Sequence, residues 1–222
     1  DNGLLILWAR ENQGILTSYN AYENYKRRGV NEGSLSATFA LSMDKVFDKF
    51  WMVEDGTYLL KEKISITPDF LQELREQIKM LMAEFEFGFI PMWDIGADWY
   101  AGLPSLVNGR RWTPLLLQSI IRDYGKELGV RTIPRQEIRQ LHAAIVESGS
   151  DLQYYSDLVY CAIRNHNPAK SVTVDRNELF EWLIDDGLWP QEITPSYGSA
   201  FQNLFKDNIH FHVADKNKVV VV

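Results

Sequence analysis

The sequence lacks the features that several protein classes require. Its single cysteine, Cys161, excludes a disulfide within the chain and any zinc site built from several cysteines. One cysteine suits a reducing compartment, so we expect a cytoplasmic protein. No apolar run approaches the roughly 18–20 residues of a membrane helix, so we expect no membrane partner. The 222 residues are nevertheless 45% hydrophobic, which argues for a folded core rather than general disorder.

Signatures of catalysis are also scarce. The glycines are scattered singly through turns, so neither a phosphate-binding loop nor a dinucleotide fingerprint occurs. His210 and His212 lie two residues apart on a predicted strand, which points both rings to one face as a pair of metal ligands requires, but a third ligand is not evident. Cys161 could pair with His142 or His166 as nucleophile and base, but no glycine-rich turn supports this, and a buried helical cysteine is the simpler interpretation.

Two acidic pairs could hold a metal, but capping of helices and solvated loop charge explain them better: Asp94 with Asp98, and Asp185 with Asp186. We therefore expect a non-catalytic protein without cofactor or metal. The chain begins Asp-Asn-Gly rather than with Met, and we expect it to be part of a larger polypeptide.

The formal net charge of -7 is unevenly distributed along the chain. Residues 1–61 and 62–135 each carry a net charge of -1, and residues 136–222 carry -5. None of these segments has the basic excess of a protein that coats DNA non-specifically. Two local basic clusters, Lys26-Arg27-Arg28 and Arg110-Arg111, are still sufficient to orient a helix on a duplex.

The first sixty residues predict three helices followed by a hairpin. The apolar positions of Leu4–Glu11 fit a first helix, and a second runs from Thr17 or Ser18 to the basic cluster before Gly29. A third helix, roughly Gly33–Phe47, carries apolar residues at helical spacing beside a face of small polar side chains. Two apolar runs then flank Asp55-Gly56, a strong signal for a tight turn between strands.

This segment resembles the winged helix-turn-helix superfamily, most clearly through its third helix "GSLSATFALS" and the wing "GTYLLK". The resemblance implies that the third helix lies in a DNA major groove and that the wing approaches the backbone. It further implies DNA contacts from the hydroxyl groups of the third helix and phosphate contacts from nearby basic side chains: Ser34, Ser36, Thr38 and Ser42, with Lys26, Arg27, Arg28 and Lys45. The wing tip is acidic and the third helix lacks Arg, Asn and Gln, which departs from base-reading helices.

The end of the chain predicts a similar order of helix, helix and hairpin. A helix follows Asp175 and ends at Asp186-Gly187, a second starts at Thr194-Pro195, and two strands flank residues 214–217. We interpret this segment as a second winged helix.

The connecting region is predicted to be mainly helical. Pro68 starts a long amphipathic helix, and Thr113-Pro114 opens another that ends near Gly125. A short strand over 130–133 would make a third helix-turn-helix-like unit, followed by helices over 136–146 and 152–163. Within this region Trp93, Trp99, Tyr100 and Trp112 lie near Arg110 and Arg111. We predict that they form core packing, a partner-binding surface or a surface that stacks on unpaired bases.

Together these patterns predict a mainly α chain with short β-hairpin wings, in which a helical middle region joins tandem winged-helix units. The predicted segments are 1–61, 62–135 and 136–222. The preferred functional hypothesis is a DNA-binding or DNA-associated module in transcription, chromosome maintenance or defence, with double-stranded DNA as the partner. The alternative is a protein-protein interaction scaffold that does not touch DNA, which the acidic charge favours.

Overall fold

A computed structural model describes residues 2–17, 48–134, 141–191, 204–205, 209–215 and 218–221, together with the single residues 19, 23 and 27. The described residues form six α-helices, which we number α1 to α6: Asn2–Glu11, Pro68–Met82, Ala97–Ala101, Pro114–Leu128, Tyr155–His166 and Arg176–Asp185. They also form nine strands, β1 to β9: Ile15–Thr17, Phe50–Glu54, Thr57–Leu60, Phe89–Pro91, Val130–Ile133, Ala144–Glu147, Val172–Asp175, Phe211–Asp215 and Lys218–Val221.

The strands form three antiparallel three-stranded sheets with one shared topology. The first strand of each sheet follows a helix, and the other two form a hairpin later in the chain. In each sheet the first strand pairs with the last one, which gives the orders β1-β3-β2, β4-β6-β5 and β7-β9-β8. The chain therefore contains three units of similar element order, which we call the first, middle and last units.

The expected fold class is wrong. The chain is mixed α and β rather than mainly α, because the middle region has a three-stranded sheet of its own. A helix is predicted over 136–146, but its last three residues belong instead to strand β6, Ala144–Glu147, and are buried there. Residues 136–140 lie outside the described residues. Short apolar runs of this kind fit a buried helix and a buried strand equally well, so pairing with β4 and β5 decides between them. The boundary predicted at 135/136 falls between β5 and β6.

Several helices begin and end where the capping residues indicate. The side chains of Thr67 and Thr113 accept hydrogen bonds from the backbone at Phe70 and Leu116, and a proline occupies the first helical position in both cases. Helix α4 does not end at Gly125 as predicted. It continues past a kink at Tyr124 to Leu128, and Gly129 closes it with a left-handed φ of 73°.

The two hairpins predicted from the sequence are confirmed. Strands β2 and β3 flank Asp55-Gly56, and β8 and β9 flank residues 216–217. The helix predicted before Asp186 is confirmed as α6, which Asp175 caps. The predicted helix at Leu4–Glu11 is confirmed as α1. The third helix predicted for the first unit, 33–47, lies outside the described residues, and the helix predicted from Thr194 lies outside them except for residues 204–205.

The first sheet is buried on both faces and joins two units. Phe50 and Leu60, which are cross-strand neighbours, pack against α1 in one core. The adjacent pair Trp51 and Leu59 points the other way, into the core of the middle unit. Because alternate residues of a strand face opposite sides, a single hairpin contributes to two cores.

The second sheet repeats this arrangement. Ile90 and Ile145 belong to the core of the middle unit, whereas their neighbours Phe89 and Val146 belong to the core of the last unit. In the third sheet Val174 and Val219 face inward, and the opposite face presents exposed Thr173 and Lys218. The three units are thus connected through their sheets, and the outer face of the last sheet is largely polar.

Candidate binding site and unit interface

The segment from α3 to the start of α4 lines a cavity of about 580 Å³ that is open to solvent. The loop is closed by Trp112, whose indole N–H donates to the carbonyl oxygen of Pro104 at 2.8 Å. The Trp112 ring also stacks on Phe70 of α2, with centroids 5.9 Å apart and planes 18° apart. One tryptophan therefore fixes both the loop and its position against the core of the middle unit.

Four of the residues predicted for a partner surface or DNA contact line this cavity: Tyr100, Arg110, Arg111 and Trp112. Trp99 lies behind them, packed edge-on against Tyr100 at a centroid distance of 5.4 Å. Trp93 does not line the cavity and is 40% exposed after β4. The structure therefore brings most of the predicted aromatic and arginine cluster together, in a form that combines core packing with an accessible cavity.

Two hydrogen-bond donors of residues that line the cavity have no acceptor in the described part of the chain. The Tyr100 hydroxyl and the Arg110 Nε are both buried there without a partner. Burial raises the pKa of the Tyr100 hydroxyl, so that group remains protonated and able to donate. Arg111 is exposed at the cavity, and the carboxylate of Asp98 also lines it. Both of these donors are shielded from solvent, so the cation that the cavity presents to a ligand is the exposed Arg111, next to the Asp98 carboxylate.

Arg110 connects two units. Its Nη2 donates to the carbonyl oxygen of Gln13 at 3.0 Å, in the turn between α1 and β1. Arg110 is therefore engaged by the first unit, and Arg111 is the more exposed member of the pair. Of the first-unit residues predicted to contact DNA, Arg27 is a described, exposed helical residue. The others lie outside the described residues: Lys26, Arg28, Ser34, Ser36, Thr38, Ser42 and Lys45.

Helix α4 of the middle unit is held against the hairpin of the first unit. The Ser119 hydroxyl donates to the carbonyl oxygen of Met52 at 3.1 Å, and the Thr113 hydroxyl donates to that of Val53. On the same side, Asp123 accepts a hydrogen bond of 2.8 Å from the indole N–H of Trp51. Sequence periodicity identifies the buried stripe of α4, but it gives no signal that α4 also bonds to the hairpin of the first unit through Ser119 and Asp123.

Asp123 is the main polar group of this interface. Lys61 and Arg122 also bind its carboxylate, at 2.5 Å and 3.0 Å. Burial alone would raise the pKa of Asp123, but hydrogen bonds from Lys61, Arg122 and Trp51 together hold it below its usual value. Asp123 therefore remains ionised at neutral pH and pairs cations from both units.

A cavity of about 800 Å³ lies beside this interface and includes His142. The Nδ1 of His142 lies 2.7 Å from the Thr132 hydroxyl, and its backbone N–H donates to Gln118 at 2.7 Å. Burial lowers the pKa of His142, which favours the neutral ring. These two hydrogen bonds connect His142, two residues before β6, to β5 and to α4, so His142 joins three elements of the middle unit.

The cysteine and histidine side chains considered for catalysis or metal binding are held in ordinary packing contacts. Burial raises the pKa of Cys161 to about 11, so its thiol is a poor nucleophile at neutral pH. His210 stacks on Tyr160 at a centroid distance of 4.3 Å. His166 lies 3.1 Å from Asp186 and stacks on Trp182. Within the described ranges, no group of three His, Cys, Asp or Glu side chains is placed to hold a metal ion.

The structure separates one acidic pair and brings one of its members, Asp94, next to the other pair. Asp94 lines the same cleft as Asp185 and Asp186, between the loop after α2 and the end of α6. Asp98 instead lines the cavity beside Arg111. About ninety residues separate Asp94 from Asp185, so only the packing of the middle unit against the last unit brings them together.

Comparison with protein-family models finds no match, and comparison with curated proteins finds none either. None of the six helices in the described part of the chain has the length and apolar character needed to cross a bilayer.

Proposed function

We propose that this chain is a non-catalytic DNA-binding module, and that its first unit is the part that contacts duplex DNA. The observation that carries the proposal is the element order of that unit. Helix α1 is followed by β1, and β1 pairs with the last strand of a hairpin in the order β1-β3-β2. Winged-helix domains have this arrangement, and the sequence between β1 and β2 resembles their two remaining helices.

The packing of α4 supports the assignment to the first unit. In a winged helix, the helix before the hairpin is the one that enters the major groove. The corresponding helix of the middle unit is α4, and Ser119 and Asp123 on one of its sides contact β2. That side of α4 is therefore occupied by the hairpin of the first unit, which leaves the first unit as the better candidate for DNA contact. The first unit carries the cluster Lys26-Arg27-Arg28, and its described member Arg27 is exposed. Phosphate contacts from this cluster would orient the unit on a duplex.

The proposal places the protein in the cytoplasm, because a single cysteine suits a reducing compartment. The cavity at Tyr100 and Arg111 would then lie next to the DNA-contacting unit, since Arg110 donates a hydrogen bond to Gln13.

Fluorescence anisotropy with a labelled duplex at several salt concentrations tests the proposal. The variant combines Lys26→Ala, Arg27→Ala and Arg28→Ala, and the matched control removes three exposed lysines of the other units: Lys79→Ala, Lys126→Ala and Lys170→Ala. We expect the first variant to weaken binding and to reduce the slope of log K against log salt by roughly 1 for each phosphate that is no longer neutralised. Equal weakening by both variants would reject the first unit as the contact site.

A second candidate function is a scaffold that binds another protein without touching DNA. It is favoured by the net charge of -5 on residues 136–222 and by the shared cores that connect neighbouring units. Absence of duplex binding at low salt, with the protein folded, would favour the scaffold over the DNA-binding module.

A further inference from the structure

An aromatic cleft of about 270 Å³ lies where the middle unit meets the last unit. Its apolar surface comes from Phe85, Phe87, Phe89 and Pro91. Phe87 is 40% exposed and stacks on Phe89, with ring centroids 6.3 Å apart and planes 28° apart. An exposed phenylalanine fixed against a buried one presents an aromatic face at a defined position.

Carboxylates surround this aromatic surface. Among the described residues, five carboxylates line the cleft together with Asn165, and no lysine or arginine does: Glu84, Glu86, Asp94, Asp185 and Asp186. Asp186 is engaged by Asn165 and His166, at 3.1 Å each. Because low-dielectric walls focus the field of like charges, the potential inside the cleft is negative.

We infer that this cleft, named here the acidic aromatic cleft, binds a lysine- and arginine-rich segment of a partner protein. Carboxylates attract such side chains, and the face of Phe87 stabilises a cation by a cation–π contact. The cleft volume is below the roughly 300–1,000 Å³ of pockets for drug-sized ligands, so individual side chains are the expected guests.

The charge of the chain argues for a separate partner over a second copy. The cleft lies at the border of the segment 136–222, which carries a net charge of -5, and the whole chain carries -7. Two copies therefore repel each other, whereas a basic partner is attracted. This inference is independent of DNA binding by the first unit, because it uses other residues and ligands of the opposite charge.

Anisotropy of a labelled nine-residue peptide made of Lys-Arg-Gly repeats tests the inference, with an Asp-Glu-Gly peptide as the ligand control. The cleft variant is Glu86→Gln, Asp94→Asn and Asp185→Asn. The matched control removes the same number of exposed carboxylates elsewhere: Glu73→Gln, Glu147→Gln and Asp151→Asn. We expect at least about tenfold weaker peptide binding in the cleft variant, and less than about twofold in the control.

Phe87→Ala is a second variant that leaves the charge unchanged. Removing an exposed cation–π partner predicts about two- to fivefold weaker binding. Because Phe87 is partly exposed, this substitution keeps the inference testable if the triple variant does not fold, as judged by circular dichroism.

Three results would overturn the inference. They are no binding of the basic peptide at low salt, equal losses of affinity in the cleft and control variants, and unchanged binding by Phe87→Ala. Sedimentation of the protein alone examines the other occupant. In a second copy, the basic cluster Lys26-Arg27-Arg28 is the segment that would occupy the cleft. A dimer that the Lys26→Ala, Arg27→Ala and Arg28→Ala variant abolishes would therefore identify a second copy, rather than a partner protein, as the guest.

Discussion

The bond between Trp51 and Asp123 gives the sharpest test of how the first and middle units are joined. The Trp51 side chain is 1% exposed, and its indole N–H donates to the Asp123 carboxylate at 2.8 Å. Asp123→Ala leaves that donor buried without an acceptor, which costs about 1–3 kcal/mol. The pairs with Lys61 and Arg122 are partly exposed and add about 0.2–1 kcal/mol each. Together these ranges predict that the free energy of unfolding falls by about 1.4–5 kcal/mol.

Urea unfolding followed by circular dichroism measures this decrease without relying on tryptophan fluorescence. The control is Glu73→Ala on the exposed side of α2, which we expect to change stability by no more than about 0.5 kcal/mol. A double-mutant cycle with Trp51→Phe isolates the hydrogen bond, and its expected coupling energy is about 1–2 kcal/mol. A coupling energy near zero would refute the argument that this bond joins the two units.

Three further predictions concern other parts of the fold. Gly125→Ala should destabilise the protein by about 1–3 kcal/mol, because its Cβ would lie 2.6 Å from the backbone oxygen of Val130, whereas Gly96→Ala meets open space and should be near neutral in the same urea titration. Burial lowers the pKa of His142 in the folded protein, so the stability contributed by the neutral ring is fully present above the unfolded pKa of about 6.5 and decreases as the pH falls below it. The urea midpoints at pH 7.5 and pH 5.5 should therefore differ less in His142→Gln than in the wild type. The Cys161 thiol, with its pKa raised to about 11, should react with a thiol reagent at pH 8 much more slowly in the folded protein than in urea, and equal rates would contradict its burial.

Sequence reasoning works where the deciding interactions are local. The Thr-Pro pairs before α2 and α4 determine where these helices start, because cap and proline act within one turn. The turn at Asp55-Gly56 predicts its hairpin for the same reason, with Gly56 at a φ of 64°. The local preferences of Thr, Pro, Asp and Gly therefore locate these helix starts and this turn without any information about tertiary contacts.

The tertiary structure decided the fold class and the site. Strands β1 and β4 have three residues each, too few for a period, and each becomes a strand only by pairing with a distant hairpin. The hydrogen bond between α4 and the hairpin of the first unit joins Asp123 to Trp51, about seventy residues away. The acidic aromatic cleft forms only when Asp94 meets Asp185. A sequence determines which side chains are apolar, charged or capping. Which distant surfaces meet depends on burying both faces of each connecting sheet, and that is a property of the whole packed chain.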